Sequence, residues 1–345
     1  MSLNFTVNYN QFVSNDFLRI DDFKLPESRS SMSYTIIVDS SAQLPESFIK
    51  QRPITVLPVT ITLNGQVFQD YRSESKLVEL YESGEITVDT EISSTPISGD
   101  ELTNFMLEKI IPNYDTALCQ TVAKEYSDTY LNYSNSISSI LIKSRQLRHR
   151  LKLERPFRMT YMSSGNTSSG QGLVAAYADS LIVKGYQYNQ YKFEIELFKE
   201  FAKTYTAIKD MVYGRHKAVQ RGARSVSYAT ARVMDATGVV PIICNSDEKM
   251  WMVAIQPKFE KAVNRIFSYA MDRIKEGLYF KTIIVSIAAD INELNNFSGF
   301  YKLKNLAEKE GVTLLVNVMS LAIASNYGPS SFSLGIAPKN TMVEP

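Results

Sequence analysis

The stretch YTIIVDSSAQLPESF, residues 34–48, sets the fold. Its apolar run from Tyr34 to Val38 reads as a strand, Asp39-Ser40-Ser41 as a polar stop and helix cap, and Pro45 as the opening of a short helix. This strand-to-helix edge recurs. TALCQTV (116–122) and MTYMS (159–163) are each followed by a polar loop and a long helical pattern. Three such units predict a parallel sheet covered by helices. One departure interrupts them: ITVLPVTITL (54–63), then Asn64-Gly65, then QVFQDY. Asn-Gly suits the positive φ angles of a tight turn, so this segment predicts a hairpin. Ser98 and Glu101 fit a capping box, which predicts a helix over ELTNFMLEKII after the SSTP loop.

Beyond Gly185 the rhythm changes. A helix is expected near 192–207, a cationic glycine-containing segment at 214–224, and the hairpin VVPIICNSDEKMWMVAI after it. A helix over 257–277, the strand KTIIVSIAA, a helix ending before Gly311 and the strand VTLLVNV predict a further α/β layer. The expected organisation is an N-terminal extension at 1–32, one α/β domain at 33–190 and a second at 191–345.

Composition narrows the function. The chain has 345 residues, 44% hydrophobic and 21% charged, which is enough for two ordinary cores. Its 37 Lys and Arg nearly cancel 36 Asp and Glu, so no global field selects a nucleic-acid or membrane partner. Met1 to Leu18 lacks the pattern of a signal peptide, and no later stretch approaches the ~20 apolar residues of a membrane span. These features predict a cytoplasmic protein without stable membrane insertion. Cys119 and Cys244 have no metal-ligand spacing and sit in strand-like runs, where buried reduced thiols are expected. The two histidines, His149 and His216, lie in cationic surroundings that disfavour a catalytic triad or a histidine metal site. SSGNTSSGQG (163–172) lacks the lysine of a phosphate-binding loop, so no nucleotide site is expected there. Residues 143–158 carry seven Lys or Arg against one Glu, which reads as a solvated helix face, with docking to an acidic partner or nucleic-acid contact as the alternatives.

Val38–Leu44, the hairpin VLPVTITLNGQVFQDY, Ser93–Pro96, Tyr126–Tyr130, Arg221–Arg224 and Asn326–Pro329 occur in an order that resembles the DegV family of bacterial fatty-acid-binding proteins from near residue 33 to near 337. Val38-Asp39-Ser40-Ser41-Ala42-Gln43-Leu44 resembles its opening V-x-D-S-x-x-x-L. The hairpin VLPVTITLNGQVFQDY follows, and Ser93-Ser94-Thr95-Pro96 is similar to T-S-Q-P. Tyr126-Ser127-Asp128-Thr129-Tyr130 resembles L-S-G-T-Y, Arg221-Gly222-Ala223-Arg224 resembles R-G-G-R, and Asn326-Tyr327-Gly328-Pro329 resembles the closing H-x-G-P.

The resemblance implies a two-domain fold: an N-terminal parallel-sheet α/β domain, a C-terminal α/β domain, and a ligand tunnel between them. It implies a long-chain fatty acid as ligand, no cofactor, no metal and no catalytic residue, with a separate fatty acid kinase as partner. The implied ligand-binding residues are Ser93, Ser94, Thr95, Lys124, Ser127, Thr129 and Asn326; Arg221 and Arg224 are implied to meet a phosphate or the kinase. Four positions depart from the family. Its serine pair falls on Ala123 and Lys124, its closing histidine on Asn326, and the glycine of L-S-G-T on Asp128. Ser127 and Thr129 also suit a helix cap, whose free amides can cradle an anion. Two other functions stay open: an adapter that has lost lipid binding, and a phosphotransferase or hydrolase using Asp39 and Asp128.

Overall fold

A computed structural model describes residues 33–70, 72–222 and 226–345. The expected extension at 1–32 lies outside them. The strands expected at 34, 116 and 159 form one parallel sheet of four, in the order β2 (Ile54–Leu57), β1 (Tyr34–Asp39), β6 (Thr116–Thr121), β7 (Arg158–Ser163). Every residue of β6 is buried, the pattern of a strand covered on both faces.

Pro58 splits the run ITVLPVTITL between two sheets. Proline has no N–H for a ladder, so the chain leaves the parallel sheet there, and the next amide, Val59, donates to Ser40 Oγ at 2.8 Å. β3 (Val59–Leu63) then pairs with β4 (Gln66–Asp70) in the expected hairpin, with Asn64 and Gly65 at φ 48° and 78°. β5 (Ile92–Thr95) joins on the other side of β3, so the residues expected as an SSTP loop form a strand, which ends at Pro96.

The third sheet has six strands, in the order β10 (Lys249–Gln256), β9 (Val240–Ser246), β8 (Lys203–Ala207), β13 (Phe332–Ile336), β11 (Thr282–Ile287), β12 (Thr313–Val318). Only β11 and β12 pair in parallel. The helix expected at 192–207 stops early. Its place is divided between a helix ending at Phe198 and the buried strand β8, because KTYTA brings β-branched and aromatic residues that pack well on a pleated surface.

Helices α1 (Glu46–Gln51), α2 (Glu74–Glu82), α3 (Gly99–Phe105) and α4 (Thr129–Arg150) cover the N-terminal half. α3 carries the expected Ser98–Glu101 capping box and runs on into a π-helical turn at Met106–Ile110. The expected cap on α1 is absent: the residue before it is Pro45, and Asp39 and Ser41 bond elsewhere. α5 (Ser168–Val183) packs against β1 of the parallel sheet and β8, β11 and β13 of the mixed one, and its residues 168–181 are buried. Its glycines permit that approach. A Cβ on Gly170 would lie 2.1 Å from Thr204 Oγ1, and one on Gly172 2.1 Å from Gln43 O. Packing therefore explains the glycines that superficially resemble a phosphate loop.

α6 (Tyr188–Phe198) packs on α5. α7 (Met211–Gln220) contains most of the cationic segment expected at 214–224, started by Asp210, whose side chain accepts from Tyr213 N at 2.7 Å. α8 (Tyr228–Thr237), α9 (Phe259–Glu276), α10 (Ser298–Lys309) and α11 (Leu321–Tyr327) complete the C-terminal half. α9 buries Val263, Ile266, Phe267 and Ile274 along one face, each contributing about 1.5–3 kcal/mol. One apolar core joins Ile36, Val38 and Leu118 through α5 to Ile284, Leu315 and Ala337.

Candidate functional site

Parallel strands in an α/β sheet end on one side, where their loops and helix starts collect, and ligands of such sheets bind there. In this chain the ends of β1, β6 and β7 meet parts of the C-terminal half. Beneath the surface lies a polar hub. The Asp39 carboxylate is buried and accepts from Val122 N at 2.8 Å, Gln171 Nε2 at 3.0 Å, Ser41 N at 3.1 Å and the Ser41 hydroxyl. Burial pushes its pKa up, against the pull of those bonds.

Gln43 extends the hub across the molecule. Its Nε2 donates to Ser320 Oγ at 2.8 Å, and its Oε1 accepts from Ser320 N at 2.9 Å and Arg72 Nη1 at 2.6 Å. The buried Arg72 guanidinium donates further to Leu44 O at 2.9 Å and Asn317 Oδ1 at 3.3 Å. Asp70, next to it, accepts from Ala322 N at 3.0 Å near the start of α11. These contacts tie β1 and the hairpin to the strand ends of the mixed sheet.

Above the hub, the loop after β6 meets the β9–β10 turn. Ala123 is buried, and its amide donates to Asn166 O at 2.8 Å. Lys124 exposes its side chain, and its amide donates to Glu248 Oε2 at 3.0 Å. The other oxygen of Glu248 accepts from Ser163 Oγ, and the Glu248 amide donates to Gly165 O at 2.9 Å. Asn245 Nδ2 donates to Tyr126 OH at 3.0 Å. Ser127 Oγ lies 2.9 Å from Thr129 Oγ1 and accepts weakly from Thr129 N at 3.3 Å, just ahead of α4, whose N-cap residue Asp128 makes no side-chain capping bond. Asp128 is exposed at the helix start.

Ser93 and Thr95 are exposed on β5, opposite Thr62 and Thr60, whereas Ser94 is opposite the fully buried Ile61 and faces inward. The neighbouring strand start is held by the buried Lys217 of α7, whose Nζ donates to Thr90 O and Ile92 O at 3.3 Å each. Burial pulls the Lys217 pKa down. Arg221 ends α7 on the surface, within electrostatic reach of Tyr213 and Tyr327. Asn326 turns its amide back to Ala322 O of its own helix at 3.0 Å. Arg224 lies outside the described residues.

The fold thus gathers the loop residues 123–129 with Glu248 and Asn245. It sets Ser93–Thr95 on a separate small sheet, and Arg221 and Asn326 at the ends of α7 and α11. Sequence reading missed Arg72, Lys217, Asn245, Glu248 and Tyr327. Glu248 sits in a turn of its own hairpin, and only the tertiary approach of that turn gives it partners. Asp39 has four donors at its carboxylate, which suits a structural anchor better than a base or ligand. Among the described residues, no group of three His, Cys, Asp or Glu could hold a metal ion. Cys119 and Cys244 are buried and unpaired by disulfide, with burial pushing the Cys119 thiol up to about 12. No described helix is long and apolar enough to cross a membrane.

A parallel sheet and a mixed sheet packed about one buried helix, with open hydroxyls and cations at the strand ends, define a two-lobed α/β protein. The chain belongs to the DegV family: the family model described as "Uncharacterised protein, DegV family" matches residues 33–339. A DegV domain-containing protein of Xanthomonas axonopodis pv. citri is 27% identical over 306 residues, covering 89% of this chain and 98% of the relative. The fold is similar to that of DegV, a fatty acid binding protein from Bacillus subtilis, at a TM-score of 0.68 and 16% identity, covering 90% of this chain and 100% of the other. It is equally similar, at 0.68 and 16%, to a stearic acid-binding protein from Eubacterium ventriosum, over 89% and 98% of the two chains.

Proposed function

We propose that this chain binds one long-chain fatty acid between its two lobes, residues 33–190 and 191–345, and presents the carboxylate to a partner fatty acid kinase, without catalysing a reaction itself. The observation that carries the proposal is membership of the DegV family across 33–339, together with the likeness in fold to proteins described as fatty-acid binding. Physical chemistry agrees with that ligand. Each buried methylene contributes ~0.8 kcal/mol, so a sixteen-carbon tail supplies on the order of ten kcal/mol before ordering costs. The carboxylate needs donors, since burying it bare costs several kcal/mol. Ser94, the inward hydroxyl of β5, is the first of these, with Ser93, Thr95, Lys124, Ser127 and Thr129 around the opening. Arg221, exposed beside Tyr327, is the residue we assign to the kinase or its phosphate, with Arg224 following it in sequence. The proposed setting is the cytoplasm.

Solvent extraction of the purified protein tests the binding. One fatty acid per chain is the expected result; no acyl chain, together with no saturable uptake of palmitate or oleate, would overturn it. Charge reversal at Arg221 should abolish phosphorylation of the bound acid by a bacterial fatty acid kinase and leave lipid affinity nearly intact. The adapter reading draws on Ala123 and Asn326, where a side chain without a hydroxyl and an amide bonded to its own helix replace the family's ligand groups. Empty protein that takes up no lipid would favour it.

A further inference from the structure

The basic run at residues 143–158 has seven Lys or Arg against one Glu, in a chain whose net charge is +1. In the fold it is more than a solvated helix face. The last turns of α4 and the chain entering β7, with the first residues of α6, enclose a cleft of about 870 Å³. This cleft is remote from the loop cluster at the opposite ends of β6 and β7. Its cations divide into two kinds. Arg148 is buried, and its guanidinium donates to Arg155 O at 2.6 Å, Tyr114 O at 2.8 Å, Ile111 O at 2.9 Å and Asp115 Oδ1 at 2.6 Å. It fixes the wall and offers no charge to a ligand. Arg145, Arg155 and Arg158 line the same cleft with exposed side chains, and the His149 ring lies beside them. Of these, Arg155 reaches Asp115 at 3.4 Å, and Glu154 is the one acidic residue in the lining.

Between these cations lie the apolar side chains of Leu141, Leu153 and Phe157, the last of them buried, with Ser144 and Gln187 also in the lining. The start of α6, closed by a capping box between Gln187 and Gln190, borders the cleft at Tyr188 and Asn189. An arrangement of exposed cations around an apolar lining matches a ligand with alternating carboxylates and apolar side chains. Polynucleotides fit it less well. They are held by rows of phosphate contacts and by exposed aromatic faces on which bases stack, whereas here Phe157 is buried and the half-buried Tyr188 packs edge-on with Tyr191.

We propose that this cleft docks an acidic segment of a partner protein, whose carboxylates meet Arg145 and Arg158 and whose apolar side chains enter between them. Charge of this kind governs encounter and selectivity and is screened by salt within about 8 Å at physiological ionic strength. The site is independent of lipid binding.

Fluorescence anisotropy on the full chain tests it, with a labelled peptide repeating Glu-Asp-Leu, its Lys-Lys-Leu counterpart, and a single-stranded oligodeoxynucleotide. The acidic peptide should bind saturably, more tightly at low salt, and its affinity should fall ~tenfold or more in the Arg145→Glu/Arg158→Glu variant. Circular dichroism and palmitate uptake of that variant should match the wild type, since both side chains are exposed and outside the loop cluster. Equal affinity of variant and wild type for the acidic peptide would overturn the proposal. Tighter binding of the oligodeoxynucleotide would overturn it in favour of nucleic acid, and loss of a wild-type dimer in the variant, seen by sedimentation, would do so in favour of a second copy.

Discussion

The polar hub below the strand ends and the rim above them use the same residue types in opposite ways. In the hub, Asp39, Gln43 and Arg72 are buried and spend their bonding capacity on other parts of the chain. At the rim, Lys124, Ser93 and Thr95 expose their side chains, and Ser127 and Asn326 bond only to their own helices. A buried polar group must be satisfied by the protein before any ligand arrives, because leaving it unpaired costs about 1–3 kcal/mol. A rim group keeps water until a ligand replaces it. Hub substitutions should therefore change stability, and rim substitutions should change ligand affinity.

Arg72→Met gives the strongest test of that division. It takes one donor each from Gln43 Oε1, Asn317 Oδ1 and the Leu44 carbonyl, and leaves Asp70 without its nearby cation. The expected loss is about 3–5 kcal/mol in urea unfolding. A loss below about 1 kcal/mol would show that the hub relaxes around the gap and is no anchor.

Asp39→Asn should cost less, about 1–3 kcal/mol, because the amide keeps one acceptor oxygen. Its pH dependence is the sharper measurement. Burial holds the Asp39 carboxyl above its ordinary range, so the folded state binds that proton more tightly than the unfolded chain does. Its contribution to stability is fully present below the ordinary carboxylate pKa and declines as pH rises to the folded value. The stability gap between wild type and variant should narrow across that window and level off above it. A gap that widens would mean that the four donors hold the group ionised.

At the rim, Ser94→Ala should leave the urea midpoint almost unchanged and weaken palmitate binding several-fold, as expected for one neutral hydrogen bond. Unchanged affinity would remove β5 from the headgroup site. Lys124→Ala should have the smallest effect, less than about fivefold, because an exposed cation gains little from pairing. A tenfold loss with the free acid, and none with its methyl ester, would show that the bound ligand draws this ammonium out of water.

Much of this fold was legible in the chain. Asn64-Gly65 fixed the hairpin through its φ angles, Ser98 and Glu101 fixed the start of α3, and the apolar runs at 34, 116 and 159 fixed the parallel sheet. Such signals act within a few residues, so sequence suffices to read them. The ordered motifs from Val38 to Pro329 likewise mark the family. The second sheet was harder to read: Lys203–Ala207 ran on from a helical pattern, and its strand state came from burial between β9 and β13. The roles at the strand ends were beyond local reading altogether. Ser94 faces inward because β5 pairs with β3, Glu248 has partners because its turn reaches the β6 and β7 loops, and Arg72 is buried because residues 42–44 and 317–318 close over it. Each depends on contacts far apart in sequence, and burial, which decides whether a polar residue anchors the fold or stays open to a ligand, exists only once those contacts have formed.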